Sequence, residues 1–163
     1  MKNIKLQWLL LFTIIMIIAM NFQWNLDNKH VQKGIIALEF AKTSTEAKNI
    51  ITDWNIPGAI ENTYLDALFI ISYSLFLFFA VYRTAEQLKG PANYFKYLAW
   101  LAPLAGLLDF IENYMLLQFL KDPANFQSTH TISMIKFGIA LGLLALFIFL
   151  SSRLVDEGKK RLY

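Results

Sequence analysis

The chain has 163 residues, of which 56% are hydrophobic and 17% charged, with a formal net charge of +3 and no cysteine. A soluble domain usually carries about 25% charged residues, so the composition excludes an ordinary soluble enzyme, a disordered tail and a basic nucleic-acid-binding arm. The lack of cysteine excludes a disulfide framework, a thiolate nucleophile and a cysteine-ligated metal.

Four apolar blocks approach the length of about 20 residues that a helix needs to cross a bilayer. They cover residues 6–22, 64–82, 97–119 and 132–152. Four such blocks leave too little chain to surround them as buried helices of a soluble protein, so we predict four membrane spans. The predicted fold is all-α: one integral membrane domain over residues 1–163, a four-helix bundle with a small extracytoplasmic cap that contains a short amphipathic helix.

The first block follows Lys2 and Lys5, as the apolar region of a signal peptide would. Its exit, Ala19-Met-Asn-Phe-Gln-Trp24, offers no small-residue cleavage site, so we expect a retained anchor. Nine basic residues lie at the termini and between spans two and three, against five in the other two loops. Since cytoplasmic segments carry the excess of Lys and Arg, both termini are predicted to be cytoplasmic.

The outward loop, residues 23–63, is the longest segment between predicted spans. Thr43-Ser-Thr-Glu46 has the pattern of a capping box, and an apolar face of Ala47, Ile50, Ile51 and Trp54 follows it. We expect a short helix that lies on the membrane surface and caps the bundle, with a substrate lid as the alternative, and that ends at Asn55-Ile-Pro-Gly58. Residues 34–41 are too mixed to separate a strand, a helical turn or an interfacial segment.

Small residues predict close helix packing in spans three and four. Gly138 and Gly142 form a GxxxG pattern, and Ala102 and Gly106 have the same spacing next to Pro103, a candidate kink. We expect packing within the chain, with a homodimer or a membrane-protein partner through Gly138 and Gly142 as the alternative.

Charged residues inside spans are costly and usually face an interior or a water-filled cavity. Asp109, Glu112 and Asn113 share one face of span three; Asp66 and Tyr73 lie in span two and Lys136 in span four. At 1.5 Å per residue, the three acids and the lysine lie about 3 to 15 Å below the outer ends of their spans. All fall in one leaflet, which predicts one acidic, outward-opening pocket formed by these six residues.

Two other interpretations of the same residues remain open. Lys136 paired with a carboxylate, with Asn113 as a hydrogen-bond partner, would pin the helices together; the excess of acids favours a pocket, because one lysine cannot neutralise three. Oxygen ligands from Asp66, Asp109, Glu112 and Asn113 would suit magnesium, manganese or calcium. We predict no metal and no cofactor, since phosphate-binding glycine loops, the GxSxG motif and paired histidines are lacking in the sequence.

Three phrases resemble a group of small bacterial four-span membrane proteins of uncharacterised function. They are residues 43–54, residues 64–70 and the stretch Leu104–Asn113, whose LLDxxEN pattern is the most specific piece. This resemblance, which covers most of residues 35–120, implies the same four-helix architecture and a location in a bacterial inner membrane. The sterol-isomerase and sigma-2-receptor superfamily is similar in architecture only, because the predicted spans here contain no histidine.

The leading functional hypothesis is that the protein binds, and in one version processes, a lipid or amphiphilic small molecule. Its polar or cationic group would enter the acidic pocket, where Asp109 and Glu112 would supply charge or a shared proton. The alternative is a non-catalytic accessory or assembly subunit of a larger membrane complex. A lipid-facing GxxxG surface and a fully salt-bridged Lys136 would favour this alternative. Neither hypothesis involves nucleic acid.

Overall fold

The computed structural model describes residues 6–23 and 34–160. In these ranges the chain is helical, with no strand. The elements are α1 (Leu6–Gln23), α2 (Gly34–Glu39), α3 (Ser44–Ile51), α4 (Ile56–Gln87), a 3₁₀ segment (Gly90–Trp100), α5 (Leu101–Lys121) and α6 (His130–Lys160).

Within the described residues, three helical segments are long and apolar enough to cross a membrane: Ile56–Gln87, Gly90–Lys121 and His130–Val155. They correspond to predicted spans two, three and four and are consistent with a membrane location. The first predicted span is α1, an 18-residue helix that packs against α4. Its crossing of the bilayer stays a prediction.

The helix predicted from the capping box is confirmed as α3. Thr43 Oγ1 accepts a hydrogen bond from the Glu46 backbone N–H at 3.2 Å, and a Glu46 carboxylate oxygen accepts one from the Lys42 N–H at 3.0 Å. The predicted apolar face is buried, as Ala47, Ile50, Ile51 and Trp54 show. Residues 34–39, which the sequence left open between three conformations, form the short helix α2.

The prediction that the short helix ends at Asn55-Ile-Pro-Gly58 is wrong, because this segment begins the next helix. Helix α3 ends at Ile51, and Asn55 is the N-cap of α4, where its Oδ1 accepts a hydrogen bond from the Gly58 N–H at 3.4 Å. Pro57 in the first turn lacks an N–H that would have no partner there in any case. The second long helix therefore begins at Ile56, eight residues before the predicted span, and takes residues 56–63 out of the predicted loop.

Helix α4 is central, since it contacts α1, the 3₁₀ segment, α5 and α6. Two apolar clusters lie along its length. The first joins α2 and α3 to Ala59 of α4 and to Leu116, Phe119 and Leu120 of α5. The second joins the later half of α4 to the 3₁₀ segment and α6, with Leu150 fully buried. Between these clusters, the three long helices contribute polar side chains, which we call the polar layer. They are Asp66, Tyr73, Asp109, Glu112, Asn113, Ser133 and Lys136.

The small residues of the long helices have different environments. A Cβ added at Gly106 would collide with the Ser74 hydroxyl oxygen, so the predicted close approach at this glycine is confirmed. A Cβ added at Gly138 or Gly142 would meet no described atom within 4 Å. Both glycines are exposed, so the expectation that they pack within the chain is wrong for the described residues.

Candidate functional site

Four side chains meet in a group that we call the lysine cluster: Glu39, Asp109, Glu112 and Lys136. The Lys136 Nζ lies 2.6 Å from Asp109 Oδ1, 2.7 Å from Glu112 Oε2 and 3.5 Å from Glu39 Oε2. Asp109 and Glu112 reach the same ammonium because a spacing of three places them on one face of α5. All four side chains are buried, with Glu112 fully inaccessible. The cluster therefore joins α2, α5 and α6 through one cation.

Hydroxyl groups hold the acids of the lysine cluster in place. The Tyr73 hydroxyl donates to Asp109 Oδ2 at 2.8 Å, which links α4 to α5. The Ser133 Oγ lies 2.8 Å from Glu112 Oε1 and 3.1 Å from the Glu39 carbonyl oxygen. The Thr129 hydroxyl donates to that carbonyl at 2.8 Å. Hydrogen bonds to ionised groups are stronger than neutral ones, so the contacts of Tyr73 and Ser133 with carboxylate oxygens stabilise the arrangement of the helices most.

Asp66 lies apart from the lysine cluster and pairs with Asn113 instead. The Asn113 side-chain amide donates to Asp66 Oδ2 at 2.6 Å, which forms a second link between α4 and α5. Asn113 lies one helical turn from Asp109 along α5. Among the described residues, Asp66 has no ion pair within 4 Å, and it is only partly buried.

Glu39 is the member of the cluster that the sequence analysis missed. Burial raises the pKa of its carboxyl group from 4.5 to about 8; Lys136 opposes this shift, while Glu112 and Asp109 add to it. Glu39 precedes the predicted α3 helix and lies outside every apolar block, so its depth could not be estimated from a span. An acid at the end of the GIIALE stretch was the only available signal.

All six predicted residues lie in the polar layer, where they form two hydrogen-bonded groups, one around Lys136 and one between Asp66 and Asn113. Lys136 pairs with two of the three acids of the predicted set, Asp109 and Glu112. Its third partner is Glu39 rather than Asp66. Asp109, Glu112 and Lys136 are each at most 6% exposed. The ligand-binding role of the six residues stays a prediction.

The lysine cluster also bears on the metal alternative. Within residues 6–23 and 34–160, no group of three or more histidine or acidic side chains has an arrangement that could hold a metal ion. The physical reason lies in the cluster, because the ammonium group occupies the position between the carboxylates that a cation would take.

A groove of about 490 Å³ lies between α4 and the segment formed by the 3₁₀ helix and α5. Its lining is almost entirely apolar and consists of Ile70, Ile71, Ser74, Leu75, Phe78, Phe79, Trp100, Pro103, Gly106, Leu107 and Phe110. The volume falls within the range of about 300 to 1,000 Å³ typical of small-molecule sites. Leu107 and Trp100 are 56% and 63% exposed, so the groove opens on the outer surface of the helices. We call it the α4–α5 groove.

The floor of the α4–α5 groove depends on Gly106. The close approach of Gly106 to Ser74 brings the two helix backbones together at this level. Bulky side chains on either side, including Phe78 and Phe110, then form the walls. Sequence reasoning identified Gly106 as a packing residue but not the groove, because the groove arises from the angle and register of two helices.

Comparison with protein-family models, curated proteins and solved structures finds no match. The resemblance to small bacterial four-span proteins therefore stays a prediction, and the site is interpreted from its own geometry.

Proposed function

We propose that the protein is a multi-pass membrane protein that binds a lipid or amphiphilic small molecule, with the apolar part of the ligand in the α4–α5 groove. The observation that carries this proposal is the size and lining of the groove on a surface that would face the bilayer. Lipid tails gain nothing from the hydrophobic effect on entering such a groove, so shape and van der Waals contact provide the selectivity.

In this proposal the polar layer is a support rather than the ligand site. The Tyr73–Asp109 and Asp66–Asn113 hydrogen bonds join the two helices that form the groove walls. The lysine cluster holds α5 against α6 and α2. Polar side chains that are paired in this way stabilise helix association where no water is available to solvate them.

We propose the membrane topology that the sequence predicts. Helix α1 is the first of four spans, both termini are cytoplasmic, and α2 and α3 form a cap on the extracytoplasmic side of the inner membrane. The basic residues Arg83, Lys89, Lys96 and Arg153 lie towards the opposite end of the long helices from α2 and α3. This distribution supports the orientation, because cytoplasmic ends carry the excess of basic residues.

The proposal is tested by filling the groove. Leu75 lines the groove and is 42% exposed; Leu104 is 44% exposed and does not line it, so Leu104→Trp is a matched control for Leu75→Trp. Native mass spectrometry of protein extracted in mild detergent measures the retained lipid. We expect Leu75→Trp to lose most of it and Leu104→Trp to retain it. Equal retention by both variants would contradict the proposal.

A second candidate function is that of an accessory subunit in a larger membrane complex. Two observations favour it: Gly138 and Gly142 leave open space on α6, and Lys136 is fully paired. A neighbouring helix could approach closely at these glycines. Gly142→Ile should then abolish co-purification of a membrane partner or of a second copy. Purification of the wild-type protein as a monomer with no partner would reject this role.

A further inference from the structure

We call the line along which α4 and α5 pack the α4–α5 seam, and its end near α2 and α3 the outer end. Lys121 places a cation at this outer end. The Lys121 Nζ donates to the Tyr64 hydroxyl at 3.2 Å and lies 5.8 Å from the centre of the Tyr64 ring. Lys121 is the last residue of α5 and Tyr64 lies in the third turn of α4. Both are exposed.

Neither Lys121 nor Tyr64 contacts a carboxylate among the described residues. Among the described residues, Lys121 has no acid within 4 Å. The carboxylate of the neighbouring Asp122 accepts hydrogen bonds from the Ala124 N–H and the Asn125 amide instead. The Tyr64 oxygen accepts from Lys121, so its own hydrogen is available to donate. An ammonium and a phenol hydroxyl on one side suit the oxygens of a phosphate group.

Helical register places this pair on the same seam as the groove. Tyr64, Leu68, Ile71, Leu75 and Phe78 follow each other at spacings of four and three, which keeps them on one face of α4.

On α5, the corresponding face is made by Lys121, Tyr114, Phe110, Leu107 and Pro103. From Tyr64 to Phe78 the seam measures about 21 Å at 1.5 Å per residue. Half of a hydrocarbon core plus one headgroup layer is about 20 to 22 Å thick. One leaflet lipid therefore matches the seam in length.

We propose, on the basis of the proposed function, that the ligand is an anionic phospholipid. Its phosphate contacts Lys121 and Tyr64, and an acyl chain runs along the seam into the α4–α5 groove. The negative charge of Asp66 does not oppose binding of the phosphate. Asp66 follows Tyr64 by two residues, which is a rotation of about 200° around the helix axis, so Asp66 lies on the face of α4 opposite Tyr64. It is also engaged by Asn113.

The test offers the protein equal amounts of phosphatidylglycerol and phosphatidylethanolamine in mixed micelles and measures the bound lipids by native mass spectrometry. For the wild type we expect about a fivefold preference for phosphatidylglycerol, the effect of one lysine near a lipid surface. Lys121→Gln should abolish the preference and Tyr64→Phe should reduce it. Lys48→Gln, which changes an exposed lysine of α3, should leave it intact.

The outcomes separate this inference from the function on which it rests. Equal binding of both lipids, or a preference that survives Lys121→Gln, overturns the inference, while loss of both lipids in Leu75→Trp still supports the groove. If the wild type retains neither lipid, this inference fails, whereas the proposed function fails only if Leu75→Trp and Leu104→Trp retain equal amounts of the co-purified ligand.

Discussion

Replacing Lys136 with methionine removes the one cation that the described residues place among Glu39, Asp109 and Glu112. Methionine has a similar length and is apolar, so the change tests charge with little loss of packing volume. The three acids would then face each other in a buried site without a counter-charge. We expect the variant to be strongly destabilised at neutral pH.

The size of the effect follows from the contacts. Breaking a buried ion pair by removing one partner costs about 3–5 kcal/mol, and Lys136 has two partners within 2.7 Å. Glu112→Gln leaves Lys136 its contact with Asp109 and retains an acceptor for Ser133, so its cost should be that of one charged hydrogen bond, about 1.5–3 kcal/mol. Lys136→Met should therefore be the more harmful change.

The assay is unfolding of purified protein in mixed micelles, followed by circular dichroism at neutral and acid pH. The control is Lys48→Met, which removes an exposed lysine and should have almost no effect. Adding Asp109→Asn and Glu112→Gln to Lys136→Met should recover much of the lost stability, since neutral partners need no cation. If Lys136→Met unfolds no more easily than Lys48→Met, the lysine cluster does not hold the helices together.

Three further predictions concern pH, packing and topology. Because the pKa of Glu39 rises from 4.5 to about 8 on folding, its contribution to stability is full below pH 4.5 and is lost as the pH rises through 8; Glu39→Gln should flatten the unfolding midpoint across this range, and an unchanged profile would contradict the burial of this acid. Gly106→Leu should cost about 1–3 kcal/mol through overpacking, measured by unfolding in micelles, whereas Gly138→Leu meets open space and should cost little. A cysteine at Asp53 should react with an impermeant reagent in intact cells and one at Gln87 should not; the reverse pattern would invert the proposed orientation.

The long helices and the short amphipathic helix could be predicted from the sequence because their signals are local. A capping box and an apolar face lie within a dozen residues, and α3 forms where they predict. The start of α4 was misplaced because Asn55-Ile-Pro-Gly58 contains residues that both end one helix and begin the next. That this segment begins a helix becomes clear only from tertiary packing, because Ala59 in the first turns of α4 packs in one cluster with the apolar residues of α3.

The polar layer could be predicted only in part. Asp109, Glu112 and Lys136 were brought together by their depth along antiparallel spans, and the structure places them in contact. Glu39 could not be found in this way, since its position depends on how the segment before α4 folds against α5 and α6. The groove and the Lys121–Tyr64 pair depend on the register between two helices, which no local pattern specifies.

Photocrosslinking in a membrane tests directly whether a lipid occupies the α4–α5 groove. The protein is reconstituted into a membrane that contains a phospholipid with a photoreactive diazirine in its acyl chain. After irradiation, the modified peptides are mapped by mass spectrometry. We predict adducts concentrated on residues 70–79 and 100–110, and loss of these adducts in Leu75→Trp but not in Leu104→Trp. Adducts spread evenly over the exposed apolar faces, including Ile148 and Phe149 of α6, would contradict a lipid site in the α4–α5 groove.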